Sequence, residues 1–141
     1  VVVVAESVIH PVTIKNPNAE DEWTEEALSG LNRTYLVESV LAAIEEGTII
    51  PFDYFTEEPL AAKDVNTLLI ENGGIDAIGN IQFTENWFMD PETMQITKQV
   101  TAMVFGFESF GADGLVKSYK AAFMVNLPEY KKAVAEPMAE N

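Results

Sequence analysis

Glu85 and Asp90 flank the aromatic pair Trp87 and Phe88, and these two carboxylates have the types and spacing for acid–base chemistry. A general acid and a general base must converge in a cleft, with at least one of them shielded from water. The chain has 23 acidic residues, so carboxylates at this spacing also arise by chance. We interpret both residues as solvated turn residues and retain an acid–base enzyme using them as the second alternative.

Other reaction chemistries lack the side chains that they need. His10 is the only histidine and cysteine is absent, which excludes thiolate catalysis, disulfides and cysteine-ligated metal centres. The serines lack a Gly-x-Ser-x-Gly elbow, and the glycines form neither a P-loop nor a Gly-x-Gly-x-x-Gly turn. The acidic runs lack the spacing of a calcium-binding loop. We therefore predict no catalytic residues, no cofactor and no metal.

The charge and length of the chain restrict its partners and its organisation. A formal net charge of −15 repels the phosphates of nucleic acids and of anionic membranes. No apolar run reaches the roughly 20 residues that a membrane-spanning helix needs. A chain of 141 residues, 48% of them apolar, is long enough for one domain with its own core. It begins at Val1 rather than at methionine, which indicates a processed product or a fragment.

Two segments have the periodicity of helices that would position these residues. Apolar side chains recur at helical spacing over residues 35–46, where Gly47 can end the helix. The same spacing appears over residues 60–71, where Gly73 and Gly74 follow. Each helix is expected to bury one face against a sheet.

The second half of the chain has the alternation of strands. Segments 94–107 and 115–127 are predicted to form a hairpin through Asp113-Gly114, a pair suited to the backbone angles of a tight turn. The odd-numbered residues of 115–127 form one apolar face, on which we expect Phe123 and Val125 to be buried.

A further strand is predicted over residues 75–88. The predicted fold class is α+β, with two helices packed on an antiparallel sheet of about three or four strands arranged as a meander, and with an extended N-terminal arm. In this organisation residues 1–30 are the apolar arm and an acidic linker, residues 31–136 are the single domain, and residues 137–141 are a frayed tail.

The N-terminal arm is too apolar and β-branched to remain free in water. It should add as a strand to a sheet edge, either that of its own domain or that of a neighbouring subunit. We narrowly favour the neighbour, because the acidic linker permits the reach.

Aromatic residues are numerous for a chain without a catalytic set: eight Phe, four Tyr and two Trp. Aromatic side chains anchor protein interfaces, so a binding or assembly protein is the favoured interpretation. Adjacent residues of a strand point to opposite faces, so only one of the central Trp–Phe pair can belong to a single core. The predicted interface residues are Trp87, Phe88, Phe107, Phe110, Val1, Val2, Val3 and Val4.

The first alternative is a small-ligand or peptide binding module with an aromatic pocket. A closed aromatic cavity would favour the pocket, whereas an exposed aromatic patch would favour assembly.

Four motifs, in this order, resemble the gliding-motility family GldN, also called PorN, of the Bacteroidetes. They are Tyr35–Phe55, Glu57–Leu60, Phe83–Asp90 and Phe123–Tyr130. The Arg-containing helical motif that the family has before the first of these motifs has no counterpart in residues 1–32. The resemblance implies a non-enzymatic periplasmic component of the type IX secretion and gliding machinery. It also implies protein partners, namely an outer-membrane lipoprotein and an inner-membrane motor component, within an oligomeric assembly.

Overall fold

Five antiparallel strands and three α-helices make up residues 1–127, the part of the chain that the computed structural model describes. The predicted tail, 137–141, and the end of the motif Phe123–Tyr130 lie outside the described residues. A short 3₁₀-helix, Ile75–Ala77, precedes the third strand. The strands and helices in chain order are β1 (Val2–Thr13), α1 (Glu22–Ala27), α2 (Arg33–Glu45), β2 (Pro51–Phe52), α3 (Ala62–Glu71), β3 (Ile78–Met89), β4 (Ile96–Phe110) and β5 (Val116–Asn126).

The predicted α+β arrangement of two helices on a sheet of three or four strands is wrong. The sheet has five strands in the order β1-β3-β4-β5-β2, and strands account for more of the described chain than helices do. The prediction lacked β1, which was interpreted as an arm, and β2, which has only two residues. It also lacked α1, which lies in the segment interpreted as an acidic linker.

The N-terminal arm is an edge strand of its own sheet. Strand β1 pairs with β3 from Val2 opposite Met89 to Thr13 opposite Asn80. Lys15 then fixes the end of the strand, because its Nζ donates to the Glu108 carboxylate at 2.8 Å. The preferred expectation, pairing with a neighbouring subunit, therefore does not describe this chain, in which the arm completes its own sheet.

Helix α1 forms because of a local cap rather than an apolar stripe. The Asp21 carboxylate accepts hydrogen bonds from the Thr24 hydroxyl at 2.7 Å and from the Thr24 backbone N–H at 3.1 Å. These bonds lower the pKa of Asp21, with the hydroxyl contributing most. The helix buries no residue, so hydrophobic periodicity carried no signal of it.

One face of the sheet packs against α2 and α3. The rings of Phe105 and Phe123 stack at the centre of this core with centroids 5.0 Å apart. Helices α2 and α3 are amphipathic, and their apolar stripes join the same cluster as the inner side chains of β3, β4 and β5. The buried members are Ile14, Val37, Val40, Ile44, Val65, Leu69, Ile78, Ile81, Met103, Phe105, Phe107, Ala122, Phe123 and Val125.

The Arg33 side chain fixes the start of α2 to the sheet. Its guanidinium donates to the carbonyl oxygens of Ile75 at 2.6 Å and of Ile78 at 2.8 Å, just where β3 begins. Charge-assisted bonds of this kind are stronger than neutral ones, and they set the position of the helix over the sheet.

Register shifts change which residues face the core. In β4, Val100 is opposite Glu85 whereas Ala102 is opposite Thr84, so one extra residue reverses the alternation. In β5 a similar shift separates Phe123 from Ala121. The predicted single apolar face of residues 115–127 is therefore divided: Phe123 and Val125 face the core, whereas Tyr119 and Ala121 face away from it.

The predicted hairpin is confirmed: β4 and β5 are antiparallel neighbours, and Phe123 and Val125 are fully buried. The turn uses Asp113, whose carboxylate accepts from the Leu115 N–H at 3.0 Å, and Gly114, whose φ of 80° suits glycine.

Among residues 1–127, none of the helices combines the length and the apolar content needed to cross a bilayer.

Truncating Phe123 to alanine should destabilise the protein strongly, because its ring is completely buried and stacked on Phe105. We expect Phe123→Ala to lower the free energy of unfolding by about 3 to 5 kcal/mol in urea titrations. Phe110→Ala is the matched control, since 59% of Phe110 is exposed. It should lose less than about 1 kcal/mol. Equal losses in the two variants would contradict the assignment of the core.

Candidate interaction surface

Trp87 and Phe88 point to opposite faces of β3, as predicted for adjacent strand residues. Trp87 is on the same face as Ile81, which belongs to the core, but it lies nearer the end of the strand. Phe88 is 7% exposed and lies on the other face, outside the main core cluster. Of the pair, only Trp87 presents surface to a partner.

The Trp87 ring is held between a cation and a carboxylate. The Lys98 ammonium lies 4.4 Å from the ring centroid, and the indole Nε1–H donates to Glu85 Oε1 at 3.3 Å. Glu85 is 7% exposed, so the carboxylate is anchored within the sheet. These contacts restrict the indole to one orientation, which lowers the entropy lost when it binds a partner.

Two rows of paired residues surround Trp87 at this end of the sheet. Ala5, Trp87 and Lys98 form one row across β1, β3 and β4. Val2, Met89 and Ile96 form the next row, and directly opposed residues point to the same face. None of these residues belongs to the core or packs against it. We call Val2, Trp87, Met89 and Ile96 the strand-end patch; Ile96 is 53% exposed.

The other predicted interface residues are dispersed. Val1 is 50% exposed beside the patch, whereas Val3 is opposite Phe88 on the other face. Val4 lies at a register shift of β1. Phe107 is 2% exposed and its ring belongs to the core, so it offers no surface to a partner. Phe110 is exposed, but it lies at the opposite end of β4. Val2 and Trp87 are the two predicted residues that the fold places on one surface.

The carboxylates of the acid–base alternative do not converge. Glu85 bonds Trp87 within β3, whereas Asp90 belongs to the β3–β4 turn. Asp90 Oδ1 accepts from the Glu92 N–H at 3.0 Å, and its backbone N–H donates to the Gln95 carbonyl at 2.9 Å. Five residues of extended strand separate the two carboxylates by about 16 Å along the chain.

Tyr54 and Phe55 form an exposed aromatic turn that the predicted interface residues do not include. These residues are 41% and 76% exposed, and their rings make an edge-on contact with centroids 5.2 Å apart. Asp53 orders the turn by accepting from the backbone N–H groups of Phe55 and Thr56, each at 2.9 Å. The sequence signal was available, since an aspartate commonly accepts from backbone groups two residues on.

An open depression of about 510 Å³ lies on the sheet face opposite the core. The described residues that line it are not aromatic: Thr84, Asn86, Gln99, Thr101, Ala102, Met124, Asn126 and Leu127. It is therefore not the closed aromatic cavity expected of the ligand-binding alternative. Exposed aromatic side chains, including Trp23 at 82% and Tyr35 at 71%, occur instead on the helices.

A scan against protein-family models found no match to this chain, and a search of curated proteins found none either. Within residues 1–127 there is no cluster of three or more histidines or carboxylates that could hold a metal ion.

The two members of the Trp–Phe pair should respond differently to truncation. Phe88→Ala removes a buried ring and should cost about 3 kcal/mol of unfolding free energy. Trp87→Ala removes a partly exposed ring and its contact with Lys98, and should cost about 1 kcal/mol. Urea unfolding of both variants measures the difference. A larger loss for Trp87→Ala would show that the indole is structural rather than available to a partner.

The aromatic turn should lose its order in acid. Hydrogen bonds from the backbone of Thr56 and then of Phe55 lower the pKa of Asp53 below its ordinary value of 3.8. A lowered folded-state pKa means that the stabilisation is present above the ordinary value and is lost as the pH falls through the folded-state value. The amide proton resonances of Phe55 and Thr56 should therefore shift only in acid. Asp53→Asn keeps an acceptor oxygen but does not titrate, so its amide shifts should be flat; flat shifts in the unmodified protein would contradict the prediction.

Proposed function

We propose that this protein is a non-enzymatic structural subunit of a periplasmic assembly of the cell envelope, of the type IX secretion and gliding kind that its motifs resemble. The observation that carries the proposal is the strand-end patch, an apolar surface on three paired strands that lies outside the core. Rigid aromatic and aliphatic side chains at such a surface are the usual anchors of protein interfaces.

The geometry of Trp87 suits an anchoring role. Its orientation is set in advance by Lys98 and by Glu85, both on strands of the same sheet. A partner that covers the indole would also remove water from the Lys98 contact, and desolvation strengthens a cation–π interaction. The patch thus offers a partner both apolar surface and an indole of fixed orientation. Because the patch lies on paired strands, binding would require no rearrangement of the backbone.

Charge supports protein partners over other classes. The formal net charge of −15 disfavours nucleic acid and steers basic protein surfaces toward the chain. The resemblance suggests two kinds of partner, an outer-membrane lipoprotein and an inner-membrane motor component. Exposed side chains at separate places, such as Phe55 in its turn and Trp23 on α1, offer more than one contact surface.

Cross-linking in the native host tests this function. An affinity-tagged chain is treated in cells with an amine-reactive cross-linker, purified from the periplasmic fraction and analysed by mass spectrometry. We expect Lys98, beside Trp87, to be joined to envelope proteins. Trp87→Ala should reduce partner recovery by about 30-fold, the equivalent of an interface anchor worth 2 kcal/mol.

Two variants control the experiment. Lys98→Arg retains the charge but removes the reactive amine, so the cross-link at this position should disappear. Trp23→Ala truncates the other tryptophan, which is 82% exposed on α1, and should leave recovery through the patch unchanged. Recovery of the protein from the cytoplasm alone, or equal partner recovery with Trp87→Ala, would refute the proposal.

A further inference from the structure

The sheet face opposite the core, which we call the open face, has a row of residues across its centre. Thr84 of β3 is opposite Ala102 of β4, and Ala102 is opposite Asn126 of β5. All three residues line the depression of about 510 Å³, whose volume lies in the range of small-molecule sites. We propose that the open face binds an uncharged, hydroxyl-rich oligosaccharide, independently of the envelope role proposed above.

The charge of the lining differs from that of the chain. Although 23 of the 141 residues are acidic, every residue within 1–127 that lines the depression is uncharged. An anionic ligand would find no cation among the lining residues that the structure describes, and the net charge of −15 would repel it. A cationic ligand would find no carboxylate among the described residues of the lining. The lining therefore complements a ligand without net charge.

The polar groups of the lining match hydroxyl chemistry. Amides such as Gln99 and Asn126 carry both donors and acceptors, and a sugar hydroxyl also does both. The Asn86 amide is held in orientation because its Oδ1 accepts from the Ser7 backbone N–H at 3.0 Å. The Thr101 hydroxyl donates to the Thr84 carbonyl at 3.2 Å, so its oxygen is directed as an acceptor. Polar side chains that are already held in orientation lose less conformational entropy when a polar ligand binds.

The shape of the open face suits a chain of sugar rings rather than a single ring. A second depression of about 80 Å³ continues along the same strands and is lined by Asn80, Gln82 and Tyr119 among others. The outward residues from Asn80 to Asn86 of β3 span about 20 Å. Both depressions are open to solvent, which allows a linear ligand to extend beyond them.

Tyr119 supplies an aromatic ring at one end of this track. The ring lies against Gly79 so closely that an added Cβ there would meet Tyr119 Cε1 at 2.6 Å. The side chain is half-buried, with a ring that the glycine brings close to the sheet surface. A tyrosine offers an apolar ring together with a polar hydroxyl, which is a common match to the apolar and polar sides of a sugar.

An extended peptide is a weaker occupant of the open face. Peptides that join a sheet do so at a strand edge, through backbone hydrogen bonds. The backbone groups of β3 and β4 are already used in pairing on both sides, because both strands are internal to the sheet. An aliphatic ligand is disfavoured because it offers no hydrogen-bonding groups to polar lining side chains such as Asn126, whose loss of water would cost free energy.

NMR titration of the full chain with neutral hexasaccharides tests the proposal. The probes are maltohexaose, cellohexaose and chitohexaose. We expect at least one of them to shift the backbone amides of Thr84, Ala102 and Asn126 in a saturable manner. Ala102→Phe fills the depression from an outward-facing position and should weaken binding at least about 10-fold, or 1.4 kcal/mol.

Asn126→Ala serves as the second variant, since it removes one amide without adding bulk, and it should weaken binding several-fold. Gln95→Ala is the matched control: Gln95 is an exposed amide before β4, outside the depression, and its loss should not change binding. Three results would overturn the proposal: no shifts with any probe, shifts that persist unchanged in both Ala102→Phe and Asn126→Ala, or shifts of the same amides that depend on protein concentration without sugar. The last result would show that a second copy occupies the face. None of these results bears on partner recovery through Trp87.

Discussion

The packing of α2 and α3 against one face of the sheet is the constraint on which the rest of this structure depends. The stacked rings of Phe105 and Phe123 occupy its centre, and both are at most 1% exposed. Burial of this apolar surface is the main favourable term in folding, and the helices can supply it on one side only. The sheet therefore has an inner face that specifies the fold and an outer face that is free to carry polar side chains such as Gln82 and Thr84.

The register shifts determine which side chains of β4 and β5 face the core and which face away from it. Without the extra residue of β4 between Val100 and Ala102, the strand would place either Val100 or Phe105 on the wrong side. The shift in β5 likewise lets Phe123 remain in the core while Ala121 lies on the open face. Bulges of this kind bend the strand and increase its local twist. The strand-end patch and the open face thus belong to one continuous sheet but point in opposite directions.

This division has a functional consequence. A partner bound at Trp87 would leave the row through Thr84, Ala102 and Asn126 accessible, because the two surfaces are on opposite faces of the sheet. The proposed protein contact and the proposed oligosaccharide site would therefore not compete for the same surface. The net charge of −15 disfavours nonspecific contact with anionic components.

The sequence by itself determined the elements whose signals are local and repeated. The helical stripes of α2 and α3, the hairpin of β4 and β5, and the opposite orientation of Trp87 and Phe88 follow from periods of 3.6 and 2 residues. The apolar, β-branched composition of residues 1–14 also indicated that this segment is extended. It did not identify α1, whose only signal is the Asp21 cap, or β2, which is too short to show alternation.

Tertiary structure decided the features that depend on contacts between residues distant in sequence. The partner of β1 is β3, more than sixty residues later, and hydrophobic pattern alone is compatible with any free sheet edge. Strand register placed Phe107 in the core, opposite Ile78. The open face depends on the bulges, because one extra residue reverses every side chain beyond it. Alternation in a sequence indicates that a strand has two faces. Only tertiary packing decides which of the two faces is buried at each position along the strand.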